Sequence, residues 1–344
     1  MGSKNNLFPK DVLDIIGHTP LIELNFSFSG GQRVFGKAEF INPSGSHKDR
    51  IYLNMIEKAE QSGELKKDMV IIEGSTGNAG AACTMIGRQK GYEVIIVMPE
   101  GMSEERKKNI KAYGGKIIFT PGGESDQDLS LQEIEKIIKE EPNKYWYPNQ
   151  FRNIHNPQAH YYNTASEIWE QANGNIDVFV AAVGSGGVLS GVGKYLKEKD
   201  PQIKIYAVEP AECPILTEMK WGSHEIQGIG DGFLPDNLEL DLVDGVITTS
   251  SEESIKEAKK LCARDGLLVG ISSGCNIAAV KKLLEKHPSF MQVVTVLFDT
   301  GHKYYSSPLF DVSTEVEIPE RDHGLPHEAI ERLKKFQEDW DIIN

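Results

Sequence analysis

The chain lacks the features that would mark a membrane, metal-stapled or nucleic-acid-binding protein. No run approaches the roughly 20 uninterrupted apolar residues that a bilayer span needs, and Met1–Lys10 is too polar for a secretory leader. The expected compartment is therefore the cytoplasm. Cysteine is scarce: Cys83, Cys213, Cys262 and Cys275 are far apart, with no C-x-x-C pair and no histidine at zinc-ligand spacing. That spacing excludes a disulfide scaffold and a structural zinc site, and each cysteine is expected as a small core residue. Positive charge is in deficit, with 37 Lys and Arg against 51 Asp and Glu, which argues against a polyanion such as nucleic acid. Internal repeats and low-complexity linkers are also missing. What remains is a chain of 344 residues, 39% of them hydrophobic, long enough to divide its core between two domains.

Short β-branched runs alternate with helix-like segments. Val70–Glu73, Val94–Met98, Lys116–Phe119, Val178–Val183, Ile203–Val208 and Val293–Phe298 read as buried strands. Ser103–Tyr113, Ser166–Ala172 and Ser251–Arg264 read as helices, the last opened by a Ser250/Glu253 capping box. This order predicts an α/β protein with mostly parallel sheets flanked by helices. In such sheets ligands sit beyond the carboxyl ends of the strands. The acidic segment after Phe310 is expected on the surface, with a closing helix over Leu325–Phe336.

Four polar, glycine-rich stretches invite a chemical reading: Asn42–Arg50 around Lys48, Ser75-Thr76-Gly77-Asn78, Gly184-Ser185-Gly186-Gly187, and Gly270–Gly274 with Ser272. The Gly184 stretch joins a strand to a helix. It suits a tight turn, and equally a cradle in which backbone N–H groups converge on phosphate at a helix N-terminus. A dinucleotide fingerprint fails because position 189 is Leu189 instead of glycine, and no Gly-Lys-Ser/Thr of a nucleotide P-loop follows. Lys48 alone would pass as a solvated lysine. Beside an anion-binding loop and hydroxyl-rich turns it suits a Schiff base with an aldehyde cofactor, pyridoxal 5'-phosphate, and proton transfer at Cα. A serine such as Ser272 at the pyridine nitrogen drains less charge into the ring than an aspartate, which favours loss or exchange of a group at Cβ over transamination.

The runs Ile16-Gly17-x-Thr19-Pro20-Leu21, Lys37-x-Glu39, Asn42–Arg50, Met98-Pro99-x-x-Met102-Ser103-x-x-Arg106, Asn156-Pro157-x-x-His160, Glu167-Ile168-Trp169, Ile226–Gly230 and Asp299-Thr300-Gly301 extend the pattern from about Val12 to Phe310. In these the chain resembles the cysteine synthase (O-acetylserine sulfhydrylase) and cystathionine β-synthase family of fold type II pyridoxal phosphate enzymes. The resemblance implies that Lys48 carries the cofactor, that Gly184, Ser185, Gly186, Gly187 and Val188 hold its phosphate, and that Asn78 and Ser272 meet its ring hydroxyl and pyridine nitrogen. It implies substrate contacts at Ser75, Thr76, Gly77, Gln150 and Gly228, and a homodimer. It also implies a smaller mobile domain (46–150) closing over a larger cofactor domain (1–45 and 151–344). The expected reaction is β-replacement through an aminoacrylate, joining sulfide to an activated serine. His47 is read as an exposed neighbour of the lysine or as a helper in positioning phosphate.

Departures from the family pattern bear on substrate. The usual Thr-Ser-Gly-Asn-Thr is Ser75-Thr76-Gly77-Asn78-Ala79, the usual closing threonine of the phosphate loop is Val188, and Pro121–Asp128 lacks the usual glycine-methionine pattern. Asp231 stands where sulfhydrylases usually have alanine and cystathionine synthases tyrosine. Two readings of Asp231 remain open. It accepts backbone N–H bonds within a glycine-rich turn, or it activates water so that cysteine becomes serine with release of sulfide. Cysteine lyase chemistry, by water replacement or by elimination to pyruvate, is thus the alternative to synthesis, and a catalytically silent regulatory paralogue is the alternative from another class.

Overall fold

The computed structural model describes residues 9–26, 30–75, 77–122 and 127–310. The segment after Phe310, with its expected helix, lies outside them, as do Thr76 and residues 123–126. The chain opens with β1 (Leu21–Leu24) and β2 (Arg33–Ala38), then enters α1 (Lys48–Ser62), β3 (Val70–Gly74), α2 (Asn78–Gln89), β4 (Glu93–Pro99), α3 (Glu104–Ala112) and β5 (Lys116–Thr120). There follow α4 (Gln127–Glu140), β6 (Tyr145–Trp146), α5 (His155–Ala159), a π-helical turn (His160–Ala165), α6 (Ser166–Gln171), β7 (Val178–Ala182) and α7 (Gly187–Lys199). The last part is β8 (Lys204–Pro210), α8 (Ile215–Glu218), β9 (Gly245–Thr249), α9 (Ser251–Asp265), α10 (Ile271–Lys286) and β10 (Gln292–Leu297).

The strands form two sheets. One has six strands in the order β1-β2-β10-β7-β8-β9, the other four in the order β5-β4-β3-β6. All pairings are parallel except β1 with β2, which is antiparallel. Both β3 and β7 are buried at every position, which is why their sequences are near-continuous apolar runs. Each sheet has its own core. Val178, Phe179, Val180, Ile205, Val293 and Val294 belong to one, and Ile51, Met55, Ile56, Ile71, Val94 and Ile96 to the other. Helix α1 turns Ile51, Tyr52, Met55, Ile56 and Ala59 to the second core, the spacing of a single helical face, and ends at Gly63 in the left-handed conformation.

Two expectations change. The Lys116–Phe119 run is an edge strand with only Thr120 buried, so its apolar residues meet solvent on one side. Cys262 is exposed on α9, whereas Cys83, Cys213 and Cys275 are buried. The Ser250/Glu253 capping box is present, with both reciprocal hydrogen bonds made.

Candidate active site

Two turns and two helix starts meet in one cleft. The turn after β3 brings Ser75, Gly77 and Asn78, and the turn after β7 brings Gly184, Ser185, Gly186, Gly187 and Val188. Lys48 at the start of α1, Ser272 at the start of α10, Gln150, Gly228 and Asp231 complete the wall. Every site residue expected from the sequence lines this cleft except Thr76, which is outside the described residues. Ser272 reaches it from a turn that follows no strand, because Val269 makes only an isolated bridge to Thr300.

Lys48 is buried in the first turn of α1, not solvated. Its Nζ donates to Gln150 Oε1 at 3.0 Å and approaches Ser185 Oγ at 3.5 Å. Burial pushes the amine down to about 8, against the opposing charges of Asp231 and Glu73, which raises the share of neutral, nucleophilic amine near neutral pH above that of an ordinary lysine. Glu73, fully buried at the end of β3, is pushed up to about 8 by burial. The loop carrying Lys48 is tied to the end of β10 by His47 N–H donating to Phe298 O at 3.0 Å and by a bridge between Ser46 and Asp299. His47 is buried, its ring 4.9 Å from that of Phe298. Burial, together with the Lys48 charge, holds its imidazole well below the usual range, so the exposed histidine expected from sequence is corrected to a buried, neutral one whose side chain packs on Phe298 and lines the cleft.

The glycine loop has the form of an anion cradle. Gly186 takes φ +79° and starts α7 without a side-chain cap, leaving the helix N–H groups for another acceptor. Side chains have no room here. A Cβ on Gly187 would lie 2.0 Å from Asn156 Oδ1, one on Gly184 2.6 Å from Gly228 O, and one on Gly186 2.8 Å from Leu238 N. Asn156 is fully buried and steadies the loop, donating from Nδ2 to Gln150 O at 2.6 Å and Ser185 Oγ at 2.9 Å. A buried amine held low, a backbone cradle for an anion and hydroxyl and amide groups around the space between them form the donor set that an aldehyde bearing a phosphate and a pyridine ring requires. The residues present fit pyridoxal phosphate.

Sequence reasoning missed several groups in this wall. Arg106 and Gln127 are buried in the cleft, and Asp299 and Lys303 hold Asn78 from behind. Arg106 and Asp299 stood in the family-like runs without a role. Lys303 gave no signal, since an isolated lysine after a strand reads as solvent-facing.

A family model described as pyridoxal-phosphate dependent enzyme matches residues 12–299. Cysteine synthase A of Escherichia coli K12 is 42% identical over 88% of this chain and 96% of that protein. A hydrogen sulfide-producing enzyme of Fusobacterium nucleatum has a structure that superposes with a TM-score of 0.83 at 39% identity, covering 86% of this chain and all of that one. A second hydrogen sulfide-producing enzyme from Fusobacterium nucleatum, solved as an aspartate-to-asparagine variant with an α-aminoacrylate intermediate, gives a TM-score of 0.82 at 38% identity over 88% of this chain and 92% of that one. With the cleft geometry and the match along nearly the whole described chain, this protein belongs to the pyridoxal-phosphate dependent enzyme family.

Proposed function

We propose that the protein replaces a substituent at Cβ of a serine- or cysteine-type amino acid, in the manner of cysteine synthase, joining sulfide to an activated serine. The observation that carries this reading is the meeting of the Lys48 amine with the Gly184–Gly187 cradle, Asn78 and Gln150 in one cleft. Pyridoxal phosphate, when bound, supplies an electron sink for charge developing at Cα. In this reading Lys48 holds the cofactor and moves the proton at Cα. Gln150 orients its Nζ and, with Ser75, Thr76 and Gly77, receives the substrate carboxylate. The glycine loop and Val188 hold phosphate, Ser272 faces the pyridine nitrogen, Asn78 the ring oxygen, and Gly228 lines the substrate's path. Residues 46–150 act as the smaller, mobile part that closes over the substrate and excludes water. The working form is a homodimer in the cytoplasm.

A second reading is favoured by Asp231, half-buried in the cleft wall and near enough for its charge to act on the Lys48 amine. An ionised carboxylate there opposes hydrosulfide but suits a water molecule. The C–S bond of cysteine breaks with its electron pair leaving on sulfur, Asp231 takes a proton from water as the water oxygen bonds to Cβ, and that proton passes to the departing hydrosulfide, so that serine and hydrogen sulfide are the products. Two of the similar solved proteins are described as hydrogen sulfide-producing. Product analysis of the holoenzyme separates the two. Rapid cysteine formation from O-acetylserine and sulfide, with cysteine alone inert, supports synthesis. Serine plus sulfide from cysteine alone, lost in Asp231→Asn, supports the lyase, and full turnover of cysteine by that variant removes Asp231 from the chemistry.

A further inference from the structure

Lys303 is a buried amine that the proposed chemistry does not use. It is 5% exposed, in the turn after β10. Burial pushes it down to about 8, with Asp299 and Asp49 drawing it back up and Arg106 adding to the fall. Its Nζ donates to Asn78 Oδ1 at 2.7 Å. On the other side of the same amide, Asn78 Nδ2 donates to Asp299 Oδ2 at 2.7 Å, and that oxygen also accepts from the Tyr304 hydroxyl at 2.7 Å. Gly45 in the Lys48 loop, at φ +79°, packs closely on the same turn, since a Cβ there would lie 2.8 Å from Thr300 Cγ2 and 3.4 Å from Lys303 Cε.

These contacts settle which way the Asn78 amide faces. An ammonium only donates and a carboxylate only accepts, so a flipped amide would set its NH₂ against Lys303 and its carbonyl against Asp299, losing both bonds. One N–H of Nδ2 is left over, on a side chain that lines the cleft. We infer that Lys303 is a positioning residue: with Asp299 it locks the Asn78 amide so that an N–H, and never the carbonyl, is offered to the ring oxygen of the bound cofactor. This rests on the reading of Asn78 as a cofactor contact. The clamp also spans the two sheets, since Asn78 opens α2 above β3 while Asp299 and Lys303 follow β10.

An N–H at the ring oxygen favours its ionised form, which absorbs at longer wavelength than the protonated one. The test is the visible absorption of the purified holoenzyme without substrate, with folding verified by thermal unfolding. Lys303→Met removes the donor and is expected to shift the ratio of the two bands about fivefold toward the shorter wavelength, the size of one lost hydrogen bond. Lys303→Gln keeps a neutral donor and is expected to stay near the parent ratio. An unchanged ratio in Lys303→Met overturns the inference. So does an equal shift in Lys303→Gln, because then the charge acts and not the amide's orientation. Lys303→Leu takes the place of the methionine variant if that one does not fold. Asn78→Ala separates the two levels: unchanged bands there sink the Asn78 reading itself, whereas shifted bands beside a silent Lys303→Met sink the positioning role alone.

Discussion

Replacing Arg50 by methionine is the most demanding test of how α1 presents Lys48. The Arg50 side chain is 2% exposed and lies between two carboxylates. Nε and Nη2 donate to Glu39 at 2.7 and 2.8 Å, and Nη1 and Nη2 donate to Glu167, both at 2.7 Å. Glu39 is fully buried, with Thr19 and Asn42 as its remaining side-chain partners among the described residues. Removing the guanidinium therefore strands a buried charge, and breaking a pair of this kind costs about 3–5 kcal/mol, far above the 0–1 kcal/mol typical of surface pairs. Thermal unfolding of the variant should fall by roughly 6–10 °C, at about 2 °C per kcal/mol for a chain of this size. The pH dependence gives a second check. Burial alone would raise Glu167, but Arg50 and Lys37 pull it from 4.5 down to about 2. A depressed carboxylate contributes stability that is present above the unfolded value and lost as pH falls through the folded one. The gap between parent and variant should thus narrow as pH falls from 4.5 toward 2. A loss below about 1 kcal/mol, or a gap indifferent to pH, would refute the view that this cluster anchors α1.

Two further outcomes follow from the cleft. Because burial holds Lys48 near 8, uptake of pyridoxal phosphate by cofactor-free protein should speed up with rising pH and level off above about 8; a rate still climbing toward the ordinary value of 10.5 contradicts a depressed amine. Gly187→Ala would drive a methyl group to 2.0 Å from Asn156 Oδ1, and overpacking of about 1–3 kcal/mol should weaken cofactor affinity about tenfold or more by equilibrium dialysis, so unchanged affinity argues against the loop as a rigid cradle.

The central strands were legible because burial on both faces writes itself as near-continuous apolar runs, as in Val70-Ile71-Ile72 and Val178–Ala182. Strands β1, β2, β6 and β9 were not. Lys37 in β2 is fully buried but charged, its Nζ 2.7 Å from Glu167, and no hydrophobic pattern predicts a buried lysine whose partner lies 130 positions away in sequence. The same limit applies to the site. Glycine turns and Lys48 announced themselves through local spacing and through family resemblance. His47 and Lys303 did not, because their burial is imposed by residues distant in the chain: Phe298 and His160 against His47, and Asn78 against Lys303.

The order of strands in the larger sheet bears on how the chain reaches its native state. Strand β2 pairs with β10, setting Arg33 opposite Gln292 and Val34 opposite Val293, whereas the smaller sheet is drawn entirely from Val70–Trp146. During synthesis the smaller sheet can pair its strands while the ribosome is still extending the chain. The opening pair of β1 and β2 must wait for β10, which among the described strands joins it to the rest of its sheet. Closing so long a loop is slow, and until then the pair has an unpaired edge open to wrong partners. Truncations that remove β10 should accordingly leave the amino-terminal pair, and not the smaller sheet, as the segment that chaperones capture.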